Sequence, residues 1–331
     1  MRYVIIGAGA IGGTIGGRLF QAGHEVLLVA RGAHLRAMRE DGLTLRTPDG
    51  TARLDVPVAD STTADVPLHA GDVLVLATKT QDTAGALDAV MARPVDGADI
   101  TDLPVVCAQN GVENERIALR RFADVYGMLV WLPATHLRPG EVLASGTPLS
   151  GILDLGRFPS GTDERAERIA ADLTGSGFAA VARPDALRWK YGKLLTNLAN
   201  ALEATTARGD GWDDLRRRAI KEGVACLEAA GIAATSPEEA KERRGDLVQY
   251  GTIEGGDRQG SSSWQSLARG AGSIEADYLN GEIVLLGREY GVPTPVNATL
   301  QRAARRLAAE RRAPGSLSVA ELTALLPPDA R

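Results

Sequence analysis

Tyr3-Val4-Ile5-Ile6-Gly7-Ala8-Gly9-Ala10-Ile11-Gly12-Gly13 is the stretch from which the rest of the chain is read. A β-branched run enters Gly7-x-Gly9-x-x-Gly12, and Ile15, Leu19 and Phe20 then recur at helical spacing. Strand, glycine turn and helix follow one another directly. In a dinucleotide site each glycine has its own task. Gly7 permits the tight turn, Gly9 lets the backbone approach a pyrophosphate, and Gly12 lets the helix pack close to the strand. Ala10 and Ile11 open the helix, whose unpaired N–H groups favour phosphate. A second strand at Glu25–Val29 places the motif in a βαβ setting, where it is far more specific than alone.

The second strand ends at Ala30-Arg31-Gly32, where a dinucleotide fold selects its cofactor. A carboxylate there would hold the ribose 2′-hydroxyl of NAD. Arg31 instead offers a flat cation to a 2′-phosphate, so NADP(H) is the expected cofactor. Gly42–Arg46 and Thr51–Val58 read as a hairpin around Pro48-Asp49-Gly50. Asp72–Ala77 is a buried strand followed by Lys79, and Leu103–Ala108 another followed by Gln109-Asn110-Gly111. Lys79 and Asn110 therefore share a rim at the carboxyl ends of parallel strands, although Asn110-Gly111 is also an ordinary turn. Val125–Leu132, Glu141–Ala144 and Ser150–Leu155 read as an antiparallel extension of the sheet. Thr162–Leu173 reads as a helix, and Phe178–Val181 as a last strand.

From Pro184 onward strand signals stop and helical patterns take over. The expected class is α/β: an N-terminal Rossmann-type dinucleotide-binding domain over 1–183, then an all-helical C-terminal domain over 184–331. At 331 residues the chain suits two domains. It is 44% hydrophobic and 24% charged, which excludes a disordered or fibrous protein. A net charge of −5 speaks against a nucleic-acid partner. No apolar run approaches bilayer length, and no leader-like segment is visible, so a cytoplasmic protein without a membrane partner is expected. Cys107 and Cys226 lack metal spacing, and no metal site is expected. Thr235–Gly260, with Gly255-Gly256, reads as a helix and a mobile loop. Leu300–Leu326 suits either a homodimer interface or a cap on its own domain.

Two helical stretches in the second half carry polar residues that need a reason. In Leu187–Leu202, Lys193 at zero places Asn197 at roughly 40°, Asn200 at roughly −20° and Lys190 near 60°. One lysine and two asparagines thus share a stripe opposite Leu195, Leu198 and Leu202, which points to a ligand-binding surface. In Ser273–Leu286 the same arithmetic puts Glu275 beside Leu279, Glu282 and Leu286, a stripe where a carboxylate needs a partner. Lys193 is the natural one, either in a catalytic pair or in a structural ion pair. Ser261-Ser262-Ser263-Trp264 precedes this helix.

Along nearly its whole length the sequence resembles the ketopantoate reductase family, which reduces 2-dehydropantoate or related 2-oxo acids with NADPH. The resemblance is carried by Gly7–Gly12, Ala30-Arg31-Gly32, Lys79, Gln109-Asn110-Gly111 and Lys193-Leu194-x-x-Asn197. It continues through Ser262-Ser263-Trp264, Glu275-x-Asp277-Tyr278-Leu279-Asn280-Gly281 and Gly291–Asn297. It implies Lys193 as general acid and Glu275 as organiser of the catalytic site. It also implies Asn110, Asn197 and Ser263 on a 2-oxo acid substrate, and Lys79 and Arg31 on the cofactor. Asn200, one residue before the family's usual second asparagine, joins the substrate set from its place on the stripe. Three positions depart from the family pattern. Ala201 and Gly260 stand where asparagines are usual, and Trp264 where methionine is. Another ketone or imine substrate, or an NADP(H) sensor without turnover, are the alternatives.

Overall fold

The computed structural model describes residues 1–63, 68–254 and 260–330. Two compact units emerge, Met1–Lys190 with Glu238–Asp257, and Tyr191–Pro237 with Arg258–Arg331.

The first unit is built on a seven-stranded sheet in the order Leu155–Arg157, Val125–Met128, Val105–Cys107, Asp72–Leu76, Arg2–Ile6, Glu25–Ala30, Val58–Asp60. All neighbours are parallel except Val125–Met128 with Leu155–Arg157. The strands alternate cleanly. Tyr3 and Ile5 enter one core with Ile15 and Leu19 of α1 (Ala10–Gln21), while Val4 and Ile6 enter another with Leu87, Val90 and Ala118. Helices α2 (Gly32–Asp41), α3 (Thr83–Met91), α4 (Asn114–Leu119) and α5 (Glu164–Gly175) complete this doubly wound arrangement. Cys107 is fully buried, and burial pushes its thiol well above the ordinary range.

Glu141–Ala144 does not extend the main sheet. It pairs in parallel with Leu43–Thr47 in a second sheet that also holds Gly50–Leu54 and Ala134–Thr135. Helix α1 packs against both sheets, and its glycines explain how. A Cβ on Gly16 would meet Leu28 and Ile5, and one on Gly17 would meet Leu43, Leu45 and Leu54. Each glycine weakens a helix by about 1 kcal/mol relative to alanine, a cost that close packing on two faces offsets. Phe178–Val181 forms isolated bridges only, through Ala179.

Residues after Pro184 also return to the first unit. Arg243 of α9 (Pro237–Arg244) and Arg183 both bind the carboxylate of Asp154, which is fully buried. Val248–Tyr250 then pairs antiparallel with Gly146–Pro148. A local helical pattern cannot reveal such long-range pairings, so the expectation that no strand follows Pro184 fails here. Gly255-Gly256, read from sequence as part of a mobile loop, lie outside the described residues.

The second unit is helical: the end of α6 (Ala186–Asn197), α7 (Ala199–Thr205), α8 (Trp212–Ala229), α10 (Ser262–Ala268), α11 (Asn280–Tyr290), α12 (Pro295–Ala309) and α13 (Val319–Ala324). Leu198, Leu202, Leu215, Ala219, Ile283, Leu300, Ala304 and Leu307 form its interior. Within Leu300–Leu326, Leu300, Leu307, Leu322 and Leu326 are buried and α12 packs on α13 within this unit. Among the described residues no helix is long and apolar enough to cross a membrane.

The sequence assigns Gly12 to close packing of the helix on the strand, and the structure agrees. A Cβ there would lie 2.1 Å from the Gly7 carbonyl oxygen and 2.8 Å from Ile5 Cγ2, whereas one on Gly9 meets nothing within 4 Å. Gly12→Ala is therefore expected to destabilise the protein by about 1–3 kcal/mol, read in urea melts, and Gly9→Ala to leave stability unchanged.

Candidate functional site

Four adjacent strands of the main sheet end on one rim. Arg31 follows Glu25–Ala30, the glycine turn follows Arg2–Ile6, Lys79 follows Asp72–Leu76, and Asn110 follows Val105–Cys107. Gly7 adopts φ 101°, and Gly9 caps α1 with its carbonyl bonded to the Gly13 N–H at 2.7 Å. The first turn of α1 carries no acidic residue, and the space beside Gly9 is open. A pyrophosphate fits this cradle, with Ala10 and Ile11 presenting the helix end. Arg31 is exposed and reaches Asp82 at 3.8 Å, so its guanidinium lies across the rim.

Beneath the rim runs a buried polar network that the sequence reading did not anticipate. Gln109 Nε2 donates to the Thr78 carbonyl at 3.0 Å and to Thr83 Oγ1 at 2.7 Å. Thr83 donates onward to Asn114 Oδ1 at 2.8 Å, and Asn114 Nδ2 donates to the Asn110 carbonyl at 3.0 Å. Asn110 Oδ1 is buried without a hydrogen-bond partner among the described residues. The signal was present in the spacing of Asn110 and Asn114, one helical turn apart. Lys190, placed by helical arithmetic near the polar stripe, belongs instead to this interior. Its ammonium donates to Glu115 at 2.6 Å and to the carbonyls of Gln109 and Met128 at 2.9 and 3.3 Å. Gly127 leaves room for the pair, since a Cβ there would sit 3.3 Å from Glu115 Oε1.

In the second unit the expected single helix over Leu187–Leu202 is interrupted. Asn197 ends α6, Leu198 intervenes in the right-handed helical conformation, and Asn200 lies in the first turn of α7. Where the two helices meet, Asn280 Nδ2 donates to the Leu198 carbonyl at 3.0 Å and to Asn297 Oδ1 at 2.9 Å. Asn297 Nδ2 in turn donates to Glu222, which also accepts the N–H groups of Val296 and Asn297 at the start of α12. Two blocks of the sequence pattern, Asn280-Gly281 and Asn297, thus meet in one buried network. Asn197 is 8% exposed, and its Nδ2 has no hydrogen-bond partner among the described residues.

The helix expected over Ser273–Leu286 is also corrected. Glu275 sits in a 3₁₀ turn, Glu275–Asp277, and α11 begins only at Asn280. Glu275 is nevertheless buried and Asp277 exposed, as the stripe required. Burial lowers the Arg269 guanidinium, and the Glu275 carboxylate opposes that shift. Ser263 is buried on α10, which packs against α7, the helix of Asn200. The neighbouring Ser262 Oγ is buried without a hydrogen-bond partner among the described residues. The departures at Gly260 and Trp264 are one physical change. A Cβ on Gly260 would lie 2.5 Å from Trp264 Cγ, so the indole occupies the place of a side chain at 260. Ala201 is buried at 1% exposure.

The family model described as ketopantoate reductase PanE/ApbA matches residues 3–160, and its C-terminal counterpart matches residues 185–308. The chain belongs to the ketopantoate reductase family. The 2-dehydropantoate 2-reductase of Halobacterium salinarum is 31% identical over 317 residues, covering 91% of this chain and 96% of that protein. That of Mesorhizobium japonicum is 31% identical over 343 residues, covering 94% and 99%. A crystal structure of a PanE/ApbA family ketopantoate reductase from Ralstonia eutropha superposes with a TM-score of 0.77 at 29% identity, covering 94% and 99% of the two chains. D-mandelate dehydrogenase with NADH and anilino(oxo)acetate shares the fold, with a TM-score of 0.78 at 23% identity.

Proposed function

We propose that this ketopantoate reductase family member reduces a 2-oxo acid to the 2-hydroxy acid with NADPH, 2-dehydropantoate to pantoate being the best-supported reaction. Family membership over both units carries the reading, together with the glycine turn and the orphaned amide of Asn197. NADPH, when bound, supplies the hydride. The glycine turn holds the pyrophosphate, Arg31 meets the 2′-phosphate, and Lys79 and Asn110 line the same rim. Lys193 polarises the ketone and gives its ammonium proton to the developing alkoxide, regaining a proton from solvent. Glu275 organises that lysine, and Asn197, Asn200 and Ser263 hold the substrate. A buried amide donor with no protein partner gains a hydrogen bond only when a substrate oxygen arrives.

Oxidation of NADPH on adding 2-dehydropantoate, followed at 340 nm, is the direct test. No oxidation with any member of a 2-oxo acid panel would remove the reading. A 2-oxo acid with a different side chain is the second reading, favoured by Trp264 over Gly260 and by the buried Ala201. Arg31→Ala is expected to weaken NADPH binding by about tenfold or more and NADH binding by less than about threefold, as loss of a charge-assisted phosphate contact requires. Equal losses in parallel fluorescence titrations would refute NADPH selection by Arg31.

A further inference from the structure

His34 lies one turn into α2, three residues after Arg31, and no role attaches to it in the reaction above. Its ring spans two backbone segments. Nε2 is 2.8 Å from the carbonyl oxygen of Ala8, inside the cofactor turn, and Nδ1 is 2.8 Å from the amide nitrogen of Gly140. A backbone amide can only donate, so Nδ1 is the bare, accepting nitrogen and Nε2 carries the proton it donates to Ala8. The tautomer follows from geometry alone. On the far side the ring of His136 lies 4.2 Å away, with Nδ1 2.9 Å from the carbonyl of Glu141. Gly140 closes against α2, where its Cβ would meet Ala37 at 3.0 Å.

The Ala8 carbonyl sits between Gly7 and Gly9, the two residues that turn the backbone under the pyrophosphate. With its oxygen tied to His34, that peptide has one orientation. The neighbouring N–H groups that would face phosphate are then ordered before the cofactor arrives. From these contacts we infer that neutral His34 is a positioning residue for NADPH: it fixes the Ala8 peptide of the glycine turn and ties it to the Gly140 loop. The inference rests on the cofactor reading above.

A protonated ring would lose the Gly140 bond, because Nδ1 would then carry a proton facing an N–H. Burial beside a second imidazole does not favour that form. Its own helix carries Arg36, Arg39, Glu40 and Asp41, Arg31 just before it pairs with Asp82, and Arg138 is in the Gly140 loop. The glycine turn brings no charge, and the Glu141 carboxylate is engaged by Arg46 at 3.5 Å. Burial and His136 hold the His34 pKa down to about 4, against the pull of the Ala8 carbonyl. A folded pKa below the unfolded value near 6.5 means that this contribution to stability is complete above about pH 6.5 and is lost as pH falls toward 4.

Two variants of the full-length protein test this. Gln in place of His keeps a nitrogen donor at the same reach from Cβ as Nε2, whereas Leu removes both bonds. In fluorescence titrations at pH 7.5, H34L is expected to raise the NADPH Kd about tenfold and H34Q less than about threefold. In steady-state assays the H34L loss is expected in the KM for NADPH rather than in kcat. Between pH 6.5 and 4 the melting temperature of wild type is expected to fall further than that of H34Q. An H34L protein that binds NADPH like wild type overturns the role of His34 while leaving the cofactor reading intact. Equal weakening in H34Q and H34L overturns it too, since ring packing rather than the donated bond would then be responsible. So would identical pH trends in wild type and H34Q. Wild type that failed to bind NADPH would instead end the cofactor reading itself.

Discussion

Lys193→Ala is expected to lower turnover about 10²–10⁴-fold, the loss typical of a positioned general acid. NADPH affinity should stay close to that of wild type, because the glycine turn, Arg31, Lys79 and Asn110 all belong to the other compact unit. Single-turnover measurements at saturating NADPH isolate the step. If turnover survives within a few-fold, a water or another side chain donates the proton. Lys190 is a poor substitute. The residue is 3% exposed and its ammonium already donates to Glu115 and two carbonyls, so its protons face inward.

Lys190→Met is expected to be among the most destabilising single changes in the molecule. It leaves the Glu115 carboxylate buried without its counter-ion, which costs about 3–5 kcal/mol in comparable buried pairs. Removing both charges in Glu115→Leu/Lys190→Met should cost much less than the sum of the single changes, since no orphaned charge remains. Urea melts of the two single variants and the double variant complete the cycle. Additive losses would show that the pair is not coupled. A Lys190→Met protein that is stable but inactive would make Lys190 a functional group and reopen the choice of acid.

Much of the first unit was legible because its signals are local. The glycine turn, the second strand ending at Arg31, and the buried strands before Lys79 and Asn110 each announce themselves within a few residues. The parallel sheet follows from their alternation with helices, and it necessarily sets those residues on one rim. The burial of Cys107 and of Glu275 was legible for the same reason, as a matter of apolar neighbours.

Tertiary structure decided what depends on partners distant in sequence. Glu141–Ala144 reads as a strand in isolation, but only Leu43–Thr47 and the small residues of α1 draw it into a second sheet. The helical stretch through Asn197 and Asn200 reads as continuous, and only the fold shows that Asn280, some eighty residues later, donates to the Leu198 carbonyl where α6 gives way to α7. Residues after Pro184 rejoin the first unit because Asp154 is a buried charge that binds Arg243 as well as Arg183. Neither His34 nor Glu115 shows in the sequence as more than a polar residue at helical spacing. Their meaning lies in the Ala8 carbonyl and in the Lys190 ammonium, partners that only the folded backbone brings within hydrogen-bond reach.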